Sequence, residues 1–347
     1  MRPSFLVVLF AAAALPVAAA DFTVGTATAS PGQRVAGFIQ VPAGSDAAAS
    51  VPVVVIHGAR PGPVLALTSG AHGTEYASVV AVARVTHAID PRTLSGTIIA
   101  LPLINVASFL QIVPHLNPID GKSLNRLYPG KADGTQSERI TWAVAKQVIE
   151  RADYLIDFHG GDLDENMRKY SYWADTGQEK LDVPSRGMVL AFGLDHIIIQ
   201  HPTNTGSVTV SRYAQMVGKP SIVVEAGHAG TVNDEDVGAL MRGIFGVTQQ
   251  LKMTAGSPRP IENPVWIDRA AAVAADRDGM FFPLVVPEAY VEKGMKVGYI
   301  QNYFGDHIAD VTAPSAGVVI YIRAVPSLRK GDTVVYIGEV VAGPRAK

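Results

Sequence analysis

The chain has 347 residues, of which 48% are hydrophobic and 17% charged, and its formal net charge is −2 at pH 7. This length predicts about two domains with substantial cores, and the near-neutral charge gives no indication of a nucleic-acid partner or of attraction to an anionic membrane. The chain has no cysteine, which excludes disulfides, thiolate zinc sites and thiol nucleophiles.

The first twenty residues have the pattern of a secretion signal. Arg2 supplies a positive charge, the run 5–17 is apolar, and three alanines form a small-residue cleavage site before Asp21. The apolar run is shorter than the ~20 residues that a membrane-spanning helix needs. We therefore predict a cleaved signal peptide, a periplasmic or secreted protein, and no stable membrane anchor.

A predicted strand and the helix that follows it meet at a glycine-rich turn. The apolar run 63–68 predicts a buried strand, and the apolar run 76–83 predicts a buried helix. His72 and Glu75 lie in the turn between them. In open α/β sheets such a junction is where ligands bind, so both side chains are candidate metal ligands.

The next segments add candidates for substrate binding. A strand is predicted over 97–103, and a helix over 137–149 with Ser137 as its N-cap. Between them, Asn125 and Arg126 stand shortly before a Pro-Gly pair. A guanidinium matches a carboxylate in two hydrogen bonds, and a neighbouring amide can donate a third. The pair is therefore predicted to hold a substrate carboxylate.

Two further strand-like runs end in ionisable residues. The run 153–159 ends in His159 before two glycines, and the run 221–225 ends in Glu225 before Ala-Gly. The alternation of strands and helices predicts a mostly parallel sheet, whose strand ends converge at one edge. Burial there disfavours charged groups unless they are paired or bound to metal, so these ends indicate one metal site.

Residue type assigns the roles within that site. Two imidazoles and one carboxylate leave an open fourth position on tetrahedral zinc, which is the ligand count of a hydrolytic site. We predict one zinc ion per chain, held by His72, Glu75 and His159. Glu225 is the candidate base that takes a proton from the attacking water. The alternative for Glu225 is a strand-end carboxylate paired with a Lys or Arg.

For the other acidic residues and histidines, the surrounding sequence gives less indication of a role. Asp162, Asp164 and Glu165 predict a solvated acidic loop, with selection of the amine portion of the substrate as the alternative. His57 and His228 lie near site segments but are expected to play no part in binding, with a substrate contact as the alternative. The remaining histidines are expected on the surface or in packing: His87, His196, His201 and His307.

The alternation of predicted strands and helices ends at residues 255–260. From about residue 264 the chain consists of short strand-like runs with frequent Gly and Pro, which predict a small all-β domain. The predicted organisation is a signal peptide over 1–20, a zinc hydrolase domain over 21–262 and a C-terminal β-sandwich over 263–347.

Four motifs together resemble the succinylglutamate desuccinylase/aspartoacylase family, part of the wider zinc carboxypeptidase group. They are the H-x-x-E turn, the downstream His159, the Asn125-Arg126 pair and the Glu225-Ala-Gly strand end. The resemblance extends from about Val51 to the C-terminus. It implies zinc at the three ligands named above, Glu225 as general base and acid, and a zinc-carboxypeptidase-like, mostly parallel or mixed sheet flanked by helices.

The C-terminal turns resemble the lipoyl/biotinyl-type β-sandwich that many members of this family carry. Such carriers need a modified lysine in an exposed hairpin turn, and the best-matched turn at 315–317 contains none. We therefore expect an unmodified domain that covers one side of the active-site cleft or mediates association, which leaves a homo-oligomer open.

One departure from the family pattern concerns the oxyanion. Relatives usually carry an additional Arg shortly before the Asp-Gly of the clamp segment, whereas no Arg lies between Arg92 and Arg126 here. His115 occupies the corresponding place. Loss of one oxyanion donor can cost ~10²–10³ in rate, so we expect that His115 substitutes, that another cation such as Arg168 reaches in, or that activity is altered.

The predicted function is hydrolysis of a C–N amide bond, first of all deacylation of a carboxylate-bearing N-acyl amino acid. The alternatives are a carboxypeptidase or amidase for short or cell-wall peptides, and a non-catalytic exported binding protein on a degenerate hydrolase scaffold. The chain contains no G-x-S-x-G, H-E-x-x-H, G-x-G-x-x-G or Walker A motif, which gives no support to serine hydrolase, thermolysin-type or nucleotide-binding functions.

Overall fold

The computed structural model describes residues 20–202 and 206–344. The predicted signal peptide, apart from Ala20, therefore lies outside the described residues. Within the described part of the chain, no helix has both the length and the apolar character needed to cross a bilayer.

Six α-helices and nineteen strands make up the described part of the fold. The helices are α1 Tyr76–Ala88, α2 Val106–Gln111, α3 Gln136–Val144, α4 Glu179–Phe192, α5 Val210–Met216 and α6 Asp234–Gln250. The strands of the first half are β1 Phe22–Val24, β2 Ala27–Ala29, β3 Gln33–Val41, β4 Ala49–His57, β5 Arg60–Ser69, β6 Ser95–Leu101, β7 Tyr154–His159, β8 Glu165–Met167, β9 Tyr170–Ala174, β10 His196–Gln200 and β11 Ser221–Glu225. The C-terminal strands are β12 Val265–Ala274, β13 Gly279–Pro283, β14 Tyr290–Val291, β15 Lys296–Gln301, β16 His307–Thr312, β17 Gly317–Arg323, β18 Ser327–Leu328 and β19 Thr333–Val341.

One large mixed sheet organises the molecule. Its order is β14-β17-β19-β12-β10-β9-β11-β7-β5-β6-β4-β3, with β8 paired to β17. The strands β11, β7, β5 and β6 are mutually parallel in that order. Helices α1, α4 and α6 supply buried residues to the core on one face, and α3 and α5 to the core on the other. The predicted α/β class with a mixed sheet is confirmed.

Alternation along the central strands decides which side chains reach the active-site face. In β7, Ile156 and Phe158 belong to the core under α1 and α6, whereas Leu155 belongs to the opposite core. Because successive strand residues point to opposite faces, Asp157 and His159 lie on the same side as Leu155. Val224 of β11 likewise faces the α1 side, which places Glu225 on the same face as His159.

The predicted α3 helix starts earlier than expected. Its first residue is Gln136, preceded by Thr135, and the backbone N–H of Thr135 donates to the Glu138 carboxylate at 2.9 Å. Ser137 is therefore not the N-cap. Its N–H and hydroxyl both donate to Asp120, at 2.9 and 2.7 Å.

The C-terminal strands continue the catalytic sheet. The start of β12 pairs with β10 in parallel, with His196 opposite Val265, and β12 pairs antiparallel with β19 along most of its length. The strands β16-β15-β13-β18 form a separate four-stranded sheet. It packs against β17 and β19 of the large sheet through a cluster of buried residues that includes Phe281 and Val297. The predicted boundary at residues 262 and 263 thus falls just before a strand that joins both regions.

Candidate metal centre and active site

The three predicted ligands meet at the C-terminal ends of β5 and β7. Nδ1 of His72 lies 2.7 Å from Oε1 of Glu75, and Nδ1 of His159 lies 3.0 Å from Oε2 of the same carboxylate. One donor atom of each side chain lies within 4.8 Å of the others. The donor set of two imidazole nitrogens and one carboxylate oxygen fits a zinc ion with an open fourth position.

The Glu75 carboxyl group of this cluster is ionised, which is the form that binds a metal. Burial opposes ionisation of Glu75, but the neighbouring imidazoles of His159 and His72 outweigh burial and lower the pKa of Glu75 to about 2. Metal ligands must be deprotonated. Glu75 therefore presents an ionised carboxylate between the two histidines.

The turn after β5 fixes where His72 and Glu75 point. Ser69 at the end of β5 is hydrogen-bonded to Ser78 of α1 at 3.0 Å. A side chain at Gly73 would bring its Cβ to 2.4 Å from the backbone nitrogen of Phe109, so only glycine allows this close approach. Strand, turn and helix are thereby locked together around the two ligands.

Asp157 is a site residue that the sequence motifs above do not include. Its Oδ2 lies 3.2 Å from Nε2 of His159, and its Oδ1 accepts a hydrogen bond from the Thr68 hydroxyl at 2.8 Å. A carboxylate on the far nitrogen of a ligating histidine fixes its tautomer and ring orientation. The sequence does indicate this role, because Asp157 and His159 are two residues apart on one strand and such residues share a face.

We expect Asp157→Asn to weaken zinc affinity by about 10–100-fold, because the amide removes the charge that orients and polarises His159. Competition with a chromophoric zinc chelator measures the affinity. Asp153→Asn is the matched control, since Asp153 lies at the opposite end of β7 and accepts from the Val64 N–H at 2.8 Å. Equal zinc affinity in wild type and Asp157→Asn would refute this role.

Glu225 lies on β11 directly opposite His159 of β7 in the parallel register, and both line one cavity of about 510 Å³. Burial raises the pKa of the Glu225 carboxyl well above its usual value, and the positive charge of His159 opposes that shift. Among the described residues, no Lys or Arg forms a salt bridge with Glu225 within 4.0 Å. The alternative that Glu225 is a strand-end carboxylate paired with a Lys or Arg is therefore wrong.

The two residues of the predicted clamp lie on the wall of this cavity. Nδ2 of Asn125 lies 3.1 Å from Nε2 of His159, and its Oδ1 accepts from the Val210 N–H at 2.9 Å. Asn125 therefore lies beside the metal site and is held by its bond to Val210. Because Nε2 of His159 donates to Asp157, the amide hydrogens of Asn125 are available to a substrate. Arg126 is exposed, and its Nη1 donates to the Asn125 carbonyl at 2.7 Å. Carboxylate binding by this pair stays a prediction.

His115 reaches the same cavity from the loop after α2. Its ring centroid lies 6.0 Å from that of His72, and its Nε2 lies 2.9 Å from Oδ1 of Asp164. Burial lowers the pKa of His115, but the hydrogen bond to Asp164 and the charges of Asp162 and Glu165 outweigh burial and raise that pKa to about 9. His115 is therefore a cation at neutral pH, beside the metal ligands.

The predicted solvated acidic loop is wrong. Asp162 is fully buried and accepts hydrogen bonds from the Thr74 hydroxyl and from the His115 N–H. Asp164 pairs with His115, and Glu165 lines the cavity. The loop is part of the site because β8, which begins at Glu165, pairs with β17.

Arg168 does not reach into the active site. Its guanidinium is buried against Asp195 at 2.9 Å and His196 at 3.0 Å, away from the cavity. His57 binds Thr97 at 2.8 Å and His228 lines a different, smaller cavity, so neither contacts the site. Of the cations considered in place of the missing Arg, His115 is the one that the fold brings to the metal ligands.

Comparison with known proteins identifies the family. Residues 61–251, more than half of the chain, match the succinylglutamate desuccinylase/aspartoacylase catalytic domain. This chain belongs to the succinylglutamate desuccinylase/aspartoacylase family. The predicted family is thereby confirmed.

Several known proteins are similar to this chain over most of its length. An N-α-acetyl-L-2,4-diaminobutyric acid deacetylase of Halomonas elongata is 25% identical over 317 residues, which cover 88% of this chain and 91% of that protein. A succinylglutamate desuccinylase structure from a Silicibacter species has a TM-score of 0.82 at 21% identity, with 91% of this chain and 98% of that chain covered. The product-bound ectoine utilization protein of Ruegeria pomeroyi has a TM-score of 0.80 at 23% identity, with 88% and 95% covered. At these identities the solved structures establish the fold.

Proposed function

We propose that this chain is an exported, zinc-dependent hydrolase that removes the acyl group from an N-acyl amino acid by cleaving its C–N amide bond. The observation that carries the proposal is the cluster of His72, Glu75 and His159 facing Glu225 in one cavity. The naming of the Halomonas relative as a deacetylase supports it. Export rests on the pattern of the first twenty residues.

Different groups polarise the scissile carbonyl and transfer the proton in the proposed reaction. When bound, zinc would polarise that carbonyl and lower the pKa of coordinated water towards ~7. Glu225 takes the proton of the attacking water and passes it to the nitrogen of the departing amine. The raised pKa of Glu225 favours holding that proton between the two steps, and a metal bound at Glu75 would add a positive charge that lowers the pKa of Glu225.

Two cations complete the proposed mechanism. His115 places a positive charge beside the metal ligands, where it would stabilise the negative oxygen that develops on the carbonyl carbon. Arg126 presents its remaining N–H groups to a substrate carboxylate, and Asn125 adds an amide hydrogen. The required partner is therefore a small molecule with an amide and a carboxylate.

We expect zinc-loaded protein to hydrolyse N-acyl amino acids, and masking the substrate carboxylate as a primary amide to lower kcat/KM by about 10–100-fold through loss of charge-assisted hydrogen bonds. Arg126→Gln should lower kcat/KM for the free acid by a similar factor and leave the masked substrate unchanged. The assay is release of free amine from a panel of N-acyl amino acids and short peptides.

Arg92→Gln is the control for this experiment, because Arg92 is exposed and pairs with Asp90 at 2.9 Å. Preferred cleavage of short peptides would favour a carboxypeptidase or amidase instead. Zinc binding without hydrolysis of any compound in the panel would favour the binding-protein alternative.

A further inference from the structure

Glu165 is a cavity-lining carboxylate that the proposed mechanism does not use. It begins β8, and its Oε2 accepts one hydrogen bond, from the Asp162 N–H at 3.1 Å. Among residues 20–202 and 206–344, no Lys, Arg or His nitrogen lies within 4.0 Å of its carboxylate. The other acids of its loop are satisfied, since Asp162 binds Thr74 and the His115 N–H while Asp164 pairs with His115 and with Arg323 at 3.3 Å.

An aromatic wall lies next to this carboxylate. Tyr170 and Tyr172 of β9, Tyr321 of β17 and Tyr336 of β19 all line the same cavity. The rings pair edge to face, Tyr170 with Tyr172 at 5.2 Å and Tyr321 with Tyr336 at 5.5 Å. Burial raises the pKa of the Tyr321 phenol, and the charge of Glu165 is the next cause, so this ring and the carboxylate are neighbours. Tyrosine faces attract cations.

The positive side chains of the cavity make their direct contacts with groups other than Glu165. His115 is bound to Asp164 and lies beside His72, and Arg126 is attached to the Asn125 carbonyl. Glu165 is half-buried, and a carboxylate partly removed from water without a cationic partner is costly. An ammonium group on the substrate would pair with Glu165 and lie against tyrosine rings, whereas an acidic side chain would face the carboxyl groups of Glu165 and Glu225.

We propose that Glu165 is a specificity residue that binds an ammonium group in the amine portion of the substrate. The preferred substrates are then N-acyl amino acids whose side chain ends in a second, protonated amino group. This inference rests on the proposed deacylase function and names the substrate class for it.

Pairs of substrates that differ only in charge test the proposal. Nα-acetyl-L-ornithine has the neutral isostere Nα-acetyl-L-norleucine, and Nα-acetyl-L-2,4-diaminobutyrate has Nα-acetyl-L-norvaline. Wild-type kcat/KM should be about 10–100-fold higher for the cationic member of at least one pair, as for other hydrogen bonds to charged groups. N-acetyl-L-glutamate should be a poorer substrate than the neutral compounds.

Glu165→Gln should abolish the difference within a pair while leaving kcat/KM for the neutral substrate within about threefold. Gln keeps an oxygen for the Asp162 N–H, and circular dichroism checks that the variant is folded. Glu292→Gln, an exposed glutamate outside the cavity, is the matched control and should keep the wild-type preference. If Glu165→Gln does not fold, the wild-type ratio of kcat/KM between the cationic and the neutral substrate of each pair still tests the proposal.

Two outcomes would overturn the proposal while leaving the deacylase function intact. They are hydrolysis of both members of each pair at equal kcat/KM by the wild type, and an equal loss on both members in Glu165→Gln. If the wild type hydrolyses nothing, the deacylase function fails, and calorimetry of free L-ornithine and L-norleucine with zinc-loaded protein becomes the test. Tighter binding of L-ornithine that is lost in Glu165→Gln would support the cation site, and equal affinities would overturn it.

Discussion

Replacement of Glu225 by glutamine is expected to lower kcat by about 10³-fold, within the range for loss of a general acid–base group, and to leave zinc affinity unchanged. Gln has the size and shape of Glu but cannot accept the proton of the attacking water. The metal ligands are not altered, because Glu225 is on β11 whereas His72, Glu75 and His159 are held by β5, α1 and β7.

The measurement combines kcat on a hydrolysed N-acyl amino acid with zinc content after dialysis. Glu339→Gln is the matched control, since Glu339 is exposed on β19 and outside the cavity, and it should behave as wild type. Wild-type turnover in Glu225→Gln would exclude Glu225 as the base. A loss of zinc together with turnover would instead assign Glu225 to the metal-binding set.

The residues of the candidate metal site could be predicted because local sequence and sheet geometry agree there. His72, His159 and Glu225 each follow an apolar run that forms a central strand, and the carboxyl ends of parallel neighbours meet at one edge. The register of β7 and β11 places His159 opposite Glu225. Asp157 was predictable by the same alternation, since it lies two residues before His159 on the same strand.

The parts that could not be predicted depend on contacts between distant segments. The sequence around Glu165 predicts a polar loop. The half-buried position of Glu165 in the cavity wall follows from the pairing of β8 with β17, far along the chain. Arg168 is hydrogen-bonded to Asp195 and lies against His196, outside the cavity. The continuation of the catalytic sheet through β12 depends likewise on pairing with β10, which no local pattern reveals.

His115→Asn is expected to lower kcat by about 10²–10³-fold, the range for loss of one oxyanion-stabilising group, with zinc affinity and KM little changed. The family's usual Arg is missing, and His115 is the cation that approaches His72. His115 has φ 61°, a left-handed conformation that Asn tolerates better than most residues. The short neutral amide therefore removes the charge without forcing the loop to rearrange.

The comparison with His115→Arg separates a charge effect from a structural one. A guanidinium at this position keeps a permanent positive charge, so His115→Arg should retain more activity than His115→Asn if charge is what the reaction needs. His307→Asn is the control, because His307 is exposed on β16 and pairs with Asp310 at 2.6 Å. Equal losses in His115→Asn and His115→Arg would show that the imidazole matters for loop structure, whereas wild-type kcat in His115→Asn would mean that the metal alone stabilises the oxyanion here.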